Sequence, residues 1–313
     1  MTDNIDRGNK MIKSVLITGA NAGLGKESAR QLALLPEIEK IYLGCRNQSK
    51  AEAAKKELEH ATGRQIFEVI IIDVANLDSV RNAVSALPEA VDGLLMNAGG
   101  TGGSKFYEIN KHGVTQMVAV NLLGHVALTE ELIKKNKLNE VAVYAGSEAA
   151  RGVPSMGMKR PNLPTSSVED FIALCEGKLY GHKKDATVPY GPIKYMAALW
   201  ISAIARQHPS VRFVTMSPGA TTGTEGFNSL SPIRQYVMKG MMQMMLMFGK
   251  VHKLEIGAKR FIDGLTNESY QSGIFYASKK GLTGSIGKQS ELFSDLANHQ
   301  YQDNARAAIS KYL

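Results

Sequence analysis

The sequence has few cysteines and no long apolar run. Two of its 313 residues are cysteines, Cys45 and Cys175, which is too few for a disulfide framework, and no histidines group with them as metal ligands. No stretch approaches the roughly 20 apolar residues that span a bilayer. The polar first dozen residues argue against a secretory signal or a transit peptide. We therefore expect a cytoplasmic protein without a bound metal.

Aromatic residues are also scarce, at 7% with a single tryptophan, and no basic run is interleaved with them. The net charge of +8 comes from scattered lysines and arginines, so we expect no nucleic-acid partner. A 44% hydrophobic and 21% charged composition is typical of a globular protein with a sizeable core. Without a repeat, a low-complexity linker or a second glycine fingerprint, the chain is predicted to be one domain over residues 1–313.

A glycine-rich turn lies between a predicted strand and a predicted helix. The apolar run 14–18 leads into T-G-A-N-A-G-L-G, and helical periodicity follows over 26–35. Glycines let the backbone approach a pyrophosphate closely, and a helix N-terminus supplies N–H donors and a positive dipole end. In this context the turn predicts a dinucleotide site. Its candidate cofactor-binding residues are Gly19, Asn21, Ala22, Gly23, Leu24 and Gly25.

The end of the second predicted strand, 40–44, indicates which dinucleotide is preferred. NAD-selective sites place an acid near this point to bind the adenosine 2′-hydroxyl, but positions 44–48 hold no Asp or Glu. Arg46, supported by Lys50, is suited to a 2′-phosphate through charge-assisted hydrogen bonds. The alternative is a solvated loop arginine. The sequence favours NADP(H).

Two further predicted strands end in candidate cofactor contacts. The strand at 67–72 leads into Asp73 and Val74, where Asp73 either holds the adenine amino group or caps a helix that starts near Leu77. The strand at 93–96 ends in the small residues Asn97, Ala98 and Gly99, which leave room for ribose and nicotinamide. Strands that alternate with helices predict an α/β fold, a Rossmann-type doubly wound parallel sheet.

Seven landmarks then occur in order: the glycine turn, Asp73-Val74, Asn97-Ala98-Gly99, Asn121 in V-A-V-N-L-L-G-H, Ser147 in V-A-V-Y-A-G-S, Tyr190 with Lys194, and Ser217-Pro218-Gly219. With these landmarks, residues 14–225 resemble the short-chain dehydrogenase/reductase family. Forty-two residues separate Ser147 from Tyr190, far more than in compact members. That insertion and the S-G-I-F-Y-A-S run at 272–278 are similar to the retinol dehydrogenase and protochlorophyllide reductase branch.

The resemblance implies four catalytic residues: Asn121, Ser147, Tyr190 and Lys194. A tyrosine has a pKa near 10 and is a poor acid–base group unless its phenolate is stabilised. Lys194 lies four residues after Tyr190, on the same helix face, and would lower the pKa of the phenol and hold the ribose. Ser147 would bind the substrate oxygen, and Asn121 would hold a water that relays protons through Lys194. Pro218, Gly219 and Thr222 would contact the cofactor, with Thr224 as the alternative to Thr222.

Proline is tolerated in the first turn of a helix. Pro192 therefore predicts that Tyr190 lies at a helix start.

Two irregular segments are expected to set specificity. The first is the insertion at about 152–187, beside the active site. The second, about 224–253, is predicted to be a substrate lid and includes V-M-K-G-M-M-Q-M-M-L-M-F at 237–248. Methionines adapt to bulky apolar partners. A core helix, a subunit contact or peripheral contact with a membrane remain open for this methionine-rich segment.

These features together predict an enzyme, an NADP(H)-dependent oxidoreductase. It would transfer a hydride between nicotinamide and the carbonyl or alcohol of a fairly large apolar substrate. The alternatives are reduction of a conjugated C=C bond and a non-catalytic dinucleotide-binding regulator. Family members often pair through the helices that carry Asn121 and Tyr190, which implies a homodimer, although the long insertion leaves a monomer open.

Overall fold

An eight-stranded sheet forms the centre of the protein. The computed structural model describes residues 11–101, 105–154, 159–161, 163–180, 185–222, 246 and 249–313. The strands are β1 (Ser14–Thr18), β2 (Lys40–Cys45), β3 (Phe67–Ile71), β4 (Val91–Met96), β5 (Leu138–Ala145), β6 (Arg212–Met216), β7 (Ile274–Ser278) and β8 (Ile286–Lys288). Their order is β3-β2-β1-β4-β5-β6-β7-β8, and β8 alone runs antiparallel to its neighbour. The strand order reverses between β1 and β4, where open α/β sheets bind their ligands.

Helices cover both faces of this sheet. They are α1 (Gly23–Leu32), α2 (Gln48–Thr62), α3 (Leu77–Ala86), α4 (Gln116–Val118), a π-helical turn (Ala119–Leu123), α5 (Gly124–Lys134), α6 (Val168–Cys175), α7 (Thr187–Gln207), α8 (Leu254–Thr266) and α9 (His299–Ser310). Short 3-10 turns occupy Glu148–Arg151, Gln289–Glu291 and Ser294–Ala297. Alternate residues of each strand pack into two apolar clusters, one with α1, α2 and α8 and one with α3, α5 and α7. The predicted doubly wound α/β fold is confirmed.

Helix α7 starts one turn earlier than the sequence analysis predicted. It begins at Thr187, so Pro189 occupies the first turn and Pro192 lies inside the helix. The prediction that Pro192 belongs to the first turn is wrong, because two prolines compete for that place and the more N-terminal one takes it. Tyr190 and Lys194 still lie one turn apart on the same helix.

The insertion before Tyr190 folds partly into a helix. Its apolar stretch forms α6, which packs against α7 and α9, while α9 in turn packs on α7. Residues 191–205 of α7 are consequently all buried within one chain.

The predicted lid at 224–253 is described only at residue 246 and from residue 249 onward. Thr224 and all but one residue of the methionine-rich segment therefore lie outside the described residues. Within the described ranges, the helices are too short or too polar for a transmembrane span.

Candidate active site

The glycine turn brings β1 and α1 close together. Gly19 adopts a positive φ of 67° and its amide donates to the carbonyl of Gly44 at 2.7 Å. A Cβ on Gly25 would lie 2.4 Å from the Gly19 carbonyl oxygen, so a side chain there would push the helix from the strand. Helix α1 has no side-chain cap at Ala22 and no acid in its first turn. Its first N–H groups are thus available to an anion, which fits a pyrophosphate.

Cys45 supports this turn from the end of β2. The buried sulfur lies near the backbone N–H groups of Ala20 and Asn21, which lower the pKa of the thiol. Burial raises the pKa of the Cys45 thiol to about 11, so it stays neutral at physiological pH. Asn21, Ala22, Gly23 and Leu24 are half-buried around it. Sequence analysis missed this contact, because a cysteine that closes a turn carries no distinctive spacing.

The ends of β1 and β4 are tied together by Thr18 and Asn97. The Thr18 hydroxyl accepts hydrogen bonds from the amides of Asn97 and Ala98 at 2.9 and 3.0 Å. The Asn97 side-chain amide donates back to the Thr18 carbonyl at 2.9 Å. These bonds fix the edge of the sheet at the point where the strand order reverses, with Gly99 exposed beyond it.

Arg46 follows β2 directly and is exposed, with no hydrogen bond or ion pair to any described residue. Asn47 caps α2 by accepting from the amide of Lys50, and the first turn of α2 contains no acid. The guanidinium is therefore free of competing carboxylates beside the glycine turn. This geometry fits a 2′-phosphate ligand and leaves the solvated-loop alternative open.

Asp73 closes a turn and does not cap α3. Its Oδ1 accepts from the amide of Ala75 at 3.0 Å, while Asn76 is the residue that caps α3. The suggestion that Asp73 caps this helix is wrong, because Asn76 directly precedes Leu77 and takes the cap position. At the same strand end, a Cβ on Gly124 would lie 1.8 Å from the Val74 carbonyl oxygen. Only glycine lets α5 approach so closely.

The structure brings the four candidate catalytic residues together at the carboxyl edge of the sheet. Ser147 follows β5, and its side chain lies near enough to Tyr190 on α7 to lower the pKa of that phenol. The Lys194 ammonium lies 5.7 Å from the centre of the Tyr190 ring. Asn121 lies in the π-helical turn, fully buried, where its side chain bonds both the amide and the carbonyl of Gly100. Asn121 thus supports the loop that follows β4.

Tyr144 connects two of these residues and was not found by sequence analysis. Its hydroxyl donates to the backbone carbonyl of Asn121 at 2.5 Å and accepts from Lys194 Nζ at 3.1 Å. A second Nζ proton goes to the carbonyl of Ala145 at 2.9 Å. The available signal was a tyrosine on a buried strand, since a buried phenol usually needs a hydrogen-bond partner.

Burial controls the ionisation of this cluster. It raises the pKa of the Tyr190 phenol to about 12, an effect that the nearby Ser147 side chain only partly offsets. It lowers the pKa of Lys194 to about 7 and that of His125 to about 4. The resemblance implies a lysine that lowers the tyrosine pKa, but here desolvation is the larger effect. The phenol therefore stays neutral at physiological pH, whereas Lys194 is present in both its charged and its neutral form.

A second buried network begins directly after Ser147. The Glu148 carboxylate accepts from the hydroxyl of Ser217 and from the hydroxyl and amide of Ser278. Arg260 Nη1 lies 3.7 Å from Glu148 and donates to Ser278 Oγ at 3.0 Å. This network fixes the run that contains Pro218 and Gly219 next to the end of β5. Sequence analysis did not identify Glu148.

The same region orders the residues that follow Gly219. Gly219 has a φ of 76° and donates to the Ser217 hydroxyl at 3.2 Å. The amide of Thr222 donates to the carbonyl of His252 at 2.9 Å, so Thr222 is held beside the S-P-G run.

An apolar groove lies at the start of α7. Pro189, which precedes Tyr190, forms one wall, and the remaining lining residues are Phe106, Tyr107, Thr115, Met117, Leu174, Gly177 and Tyr180. Three of these, Leu174, Gly177 and Tyr180, come from the insertion, which therefore contributes to the groove. A surface of this composition suits an apolar or aromatic group.

Comparison with known proteins agrees with this geometry. The family model for short chain dehydrogenase matches residues 13–154. Short chain dehydrogenase yanD of Aspergillus niger is 30% identical over 236 residues, which cover 71% of this chain and 69% of that protein. The chain belongs to the short-chain dehydrogenase family. This family of oxidoreductases uses nicotinamide cofactors.

Two further relatives are similar over shorter stretches. The NADP-dependent 3-hydroxy acid dehydrogenase of Schizosaccharomyces pombe is 32% identical over 45% of this chain and 57% of its own length. Retinol dehydrogenase 11 of Homo sapiens is 35% identical over 40% of this chain and 39% of its own. The matches thus span about two fifths to three fifths of these relatives. The predicted likeness to retinol dehydrogenases is confirmed.

Solved structures share the fold. L-sorbose reductase from Gluconobacter frateurii, which was solved with NADPH and L-sorbose, superposes with a TM-score of 0.62 at 17% identity. The superposition covers 87% of this chain and 97% of that one. At this identity the likeness concerns the fold alone.

Proposed function

We propose that this chain is an NADP(H)-dependent oxidoreductase that acts on the carbonyl or alcohol of a fairly large apolar substrate. The proximity of Ser147 to Tyr190, with Lys194 one turn away and an apolar groove at the preceding Pro189, carries the proposal. These groups lie at the sheet edge that also holds the glycine turn. A proton donor, an oxygen-binding hydroxyl and a dinucleotide cradle are the parts that carbonyl reduction requires.

Each residue has a role that its chemistry supports. A bound NADPH would supply the hydride, held by the glycine turn, Arg46 and the loop after β4. Tyr190 donates the proton that the substrate oxygen needs, and a phenol with a pKa of about 12 remains protonated at neutral pH. Ser147 donates a hydrogen bond to the same oxygen as charge develops on it. When Lys194 is protonated, its ammonium places a positive charge near Tyr190.

The first prediction concerns the cofactor. Arg46→Ala should weaken NADPH binding about 10- to 100-fold and change NADH binding less than about twofold, because only NADPH carries the 2′-phosphate. Titration of nicotinamide fluorescence with both cofactors measures this difference. Arg81→Ala, which removes another partly exposed arginine, on α3 and paired with Asp78, serves as the control. Wild-type protein that binds NADH as well as NADPH would contradict the role of Arg46.

The second prediction concerns the substrate. With NADPH, we expect kcat/KM for a long-chain or ring-bearing aldehyde to exceed that for acetaldehyde by at least about 100-fold, since each buried CH₂ contributes about 0.8 kcal/mol. Leu174→Ser, which makes one wall of the groove polar, should reduce the preference. Absorbance at the NADPH band measures both rates. Equal efficiency for the two aldehydes would show that the groove does not bind substrate.

A further inference from the structure

The hydroxyl of Tyr144 lies between two groups of the candidate active site. It donates to the Asn121 carbonyl at 2.5 Å and accepts from Lys194 Nζ at 3.1 Å. We propose that Tyr144 is a positioning residue that takes the place expected for a water on Asn121 and holds the Lys194 ammonium in its working position. This inference rests on the proposed function of the same site.

The donor count of Lys194 supports the proposal. An ammonium has three N–H donors, and two of them are accepted by Tyr144 Oη and the Ala145 carbonyl, both from β5. One donor remains for Tyr190 or a ribose hydroxyl. Because Lys194 is only 4% exposed, solvent cannot replace a lost acceptor, and the lysine depends on these two oxygens.

The direction of the Tyr144 hydroxyl hydrogen bond indicates that Tyr144 holds Lys194 and does not relay a proton. That proton is donated to a backbone carbonyl, which has no proton to pass on, so the chain of hydrogen bonds ends at Asn121. The phenol itself is fully buried, and burial raises its pKa well above 10. Tyr144 therefore stays neutral and accepts from Lys194 without exchanging a proton with it.

The other groups around Lys194 give it no acceptor of comparable quality. From α7, Tyr190 presents its ring at 5.7 Å. From α5, His125 points its Nε2 at the Ala98 carbonyl and has its pKa lowered by burial and by Lys194. The Glu148 carboxylate, which follows Ser147 in the chain, is engaged with Ser217 and Ser278. Loss of the Tyr144 hydroxyl should therefore destabilise the charged form of Lys194.

The third prediction tests this with Tyr144→Phe. We expect the basic limb of the kcat/KM pH profile to move down by about one pH unit, because the protonated lysine loses one of two acceptors. The loss of activity should then be small below pH 6 and about tenfold above pH 8, with NADPH affinity little changed. Tyr42→Phe removes another buried strand hydroxyl, bonded to Glu89, and should lower stability without moving the limb. An unmoved limb in Tyr144→Phe would overturn the proposal.

A readout without turnover separates this proposal from the proposed function. In a double-mutant cycle of Tyr144→Phe and Lys194→Met, urea unfolding should show a coupling of at least about fivefold in the unfolding equilibrium constant. Absence of coupling would count against the contact even if the protein had no reductase activity. If Tyr144→Phe does not fold, 3-fluorotyrosine can be incorporated at position 144. It keeps the shape of the side chain and weakens the hydroxyl oxygen as an acceptor, so the basic limb of the kcat/KM profile should move in the same direction.

Discussion

Replacing Tyr190 with phenylalanine should lower kcat by about 1,000-fold and leave the affinity for NADPH within about threefold. A positioned general acid contributes about 10²- to 10⁴-fold, and phenylalanine keeps the ring while removing the only proton it can donate. Lys194 retains its bonds to Ala145 and Tyr144 in this variant, so the rest of the cluster stays in place. Absorbance kinetics and fluorescence titration measure the two quantities separately.

A matched control for this variant is Tyr180→Phe. Tyr180 lines the apolar groove, and burial also raises its pKa to about 12, but Ser147 is not among the groups that act on this phenol. We expect this change to alter kcat less than about fivefold, in the range of a lost neutral hydrogen bond. If Tyr190→Phe kept more than a tenth of the activity, another group would be the proton donor. If wild-type protein bound NADPH but turned over no carbonyl, the non-catalytic alternative would gain support.

The parts of this site that sequence analysis predicted are local in the chain. The run from Ser14 to Gly25 carries its own strand, turn and helix start, so its geometry follows from spacing alone. Tyr190 and Lys194 share one helix and must face the same side. The strands were recognisable because parallel strands buried on both faces read as continuous apolar runs. These features need no knowledge of distant residues.

The parts that were missed or wrong depend on choices between neighbours or on long-range contacts. Asn76 and Asp73 both suit a helix cap, and only the path of the chain selects Asn76. Tyr144 reaches Lys194 across 50 positions, and Glu148 reaches Ser278 across 130. The sequence pattern predicts that a strand residue is buried, but it does not predict which helix or strand its polar atom contacts. Hence the supporting contacts of the site came only from the structure.

The second large effect is expected on stability, from Glu148→Ala. The carboxylate is 4% exposed and accepts from Ser217 and Ser278, while Arg260, which is 5% exposed, lies beside it. Removing one partner of a buried ion pair leaves the other charge without compensation and costs about 3–5 kcal/mol. Urea unfolding at pH 7 should show a loss of this size in the free energy of unfolding.

Two comparisons distinguish the buried charge from a general loss of packing. Glu148→Gln keeps the size and an acceptor oxygen for the serines but removes the charge, so it should lose less than Glu148→Ala. Asp263→Ala breaks the ion pair with Lys259 on α8, the helix that also carries Arg260. Because Lys259 is 67% exposed, this variant should lose less than about 1 kcal/mol of unfolding free energy. A similar loss in Glu148→Ala and Asp263→Ala would contradict a structural ion pair. Because Glu148 joins the end of β5 to the Ser217-Pro218-Gly219 run, its loss should also weaken NADPH binding, whereas Asp263→Ala should not.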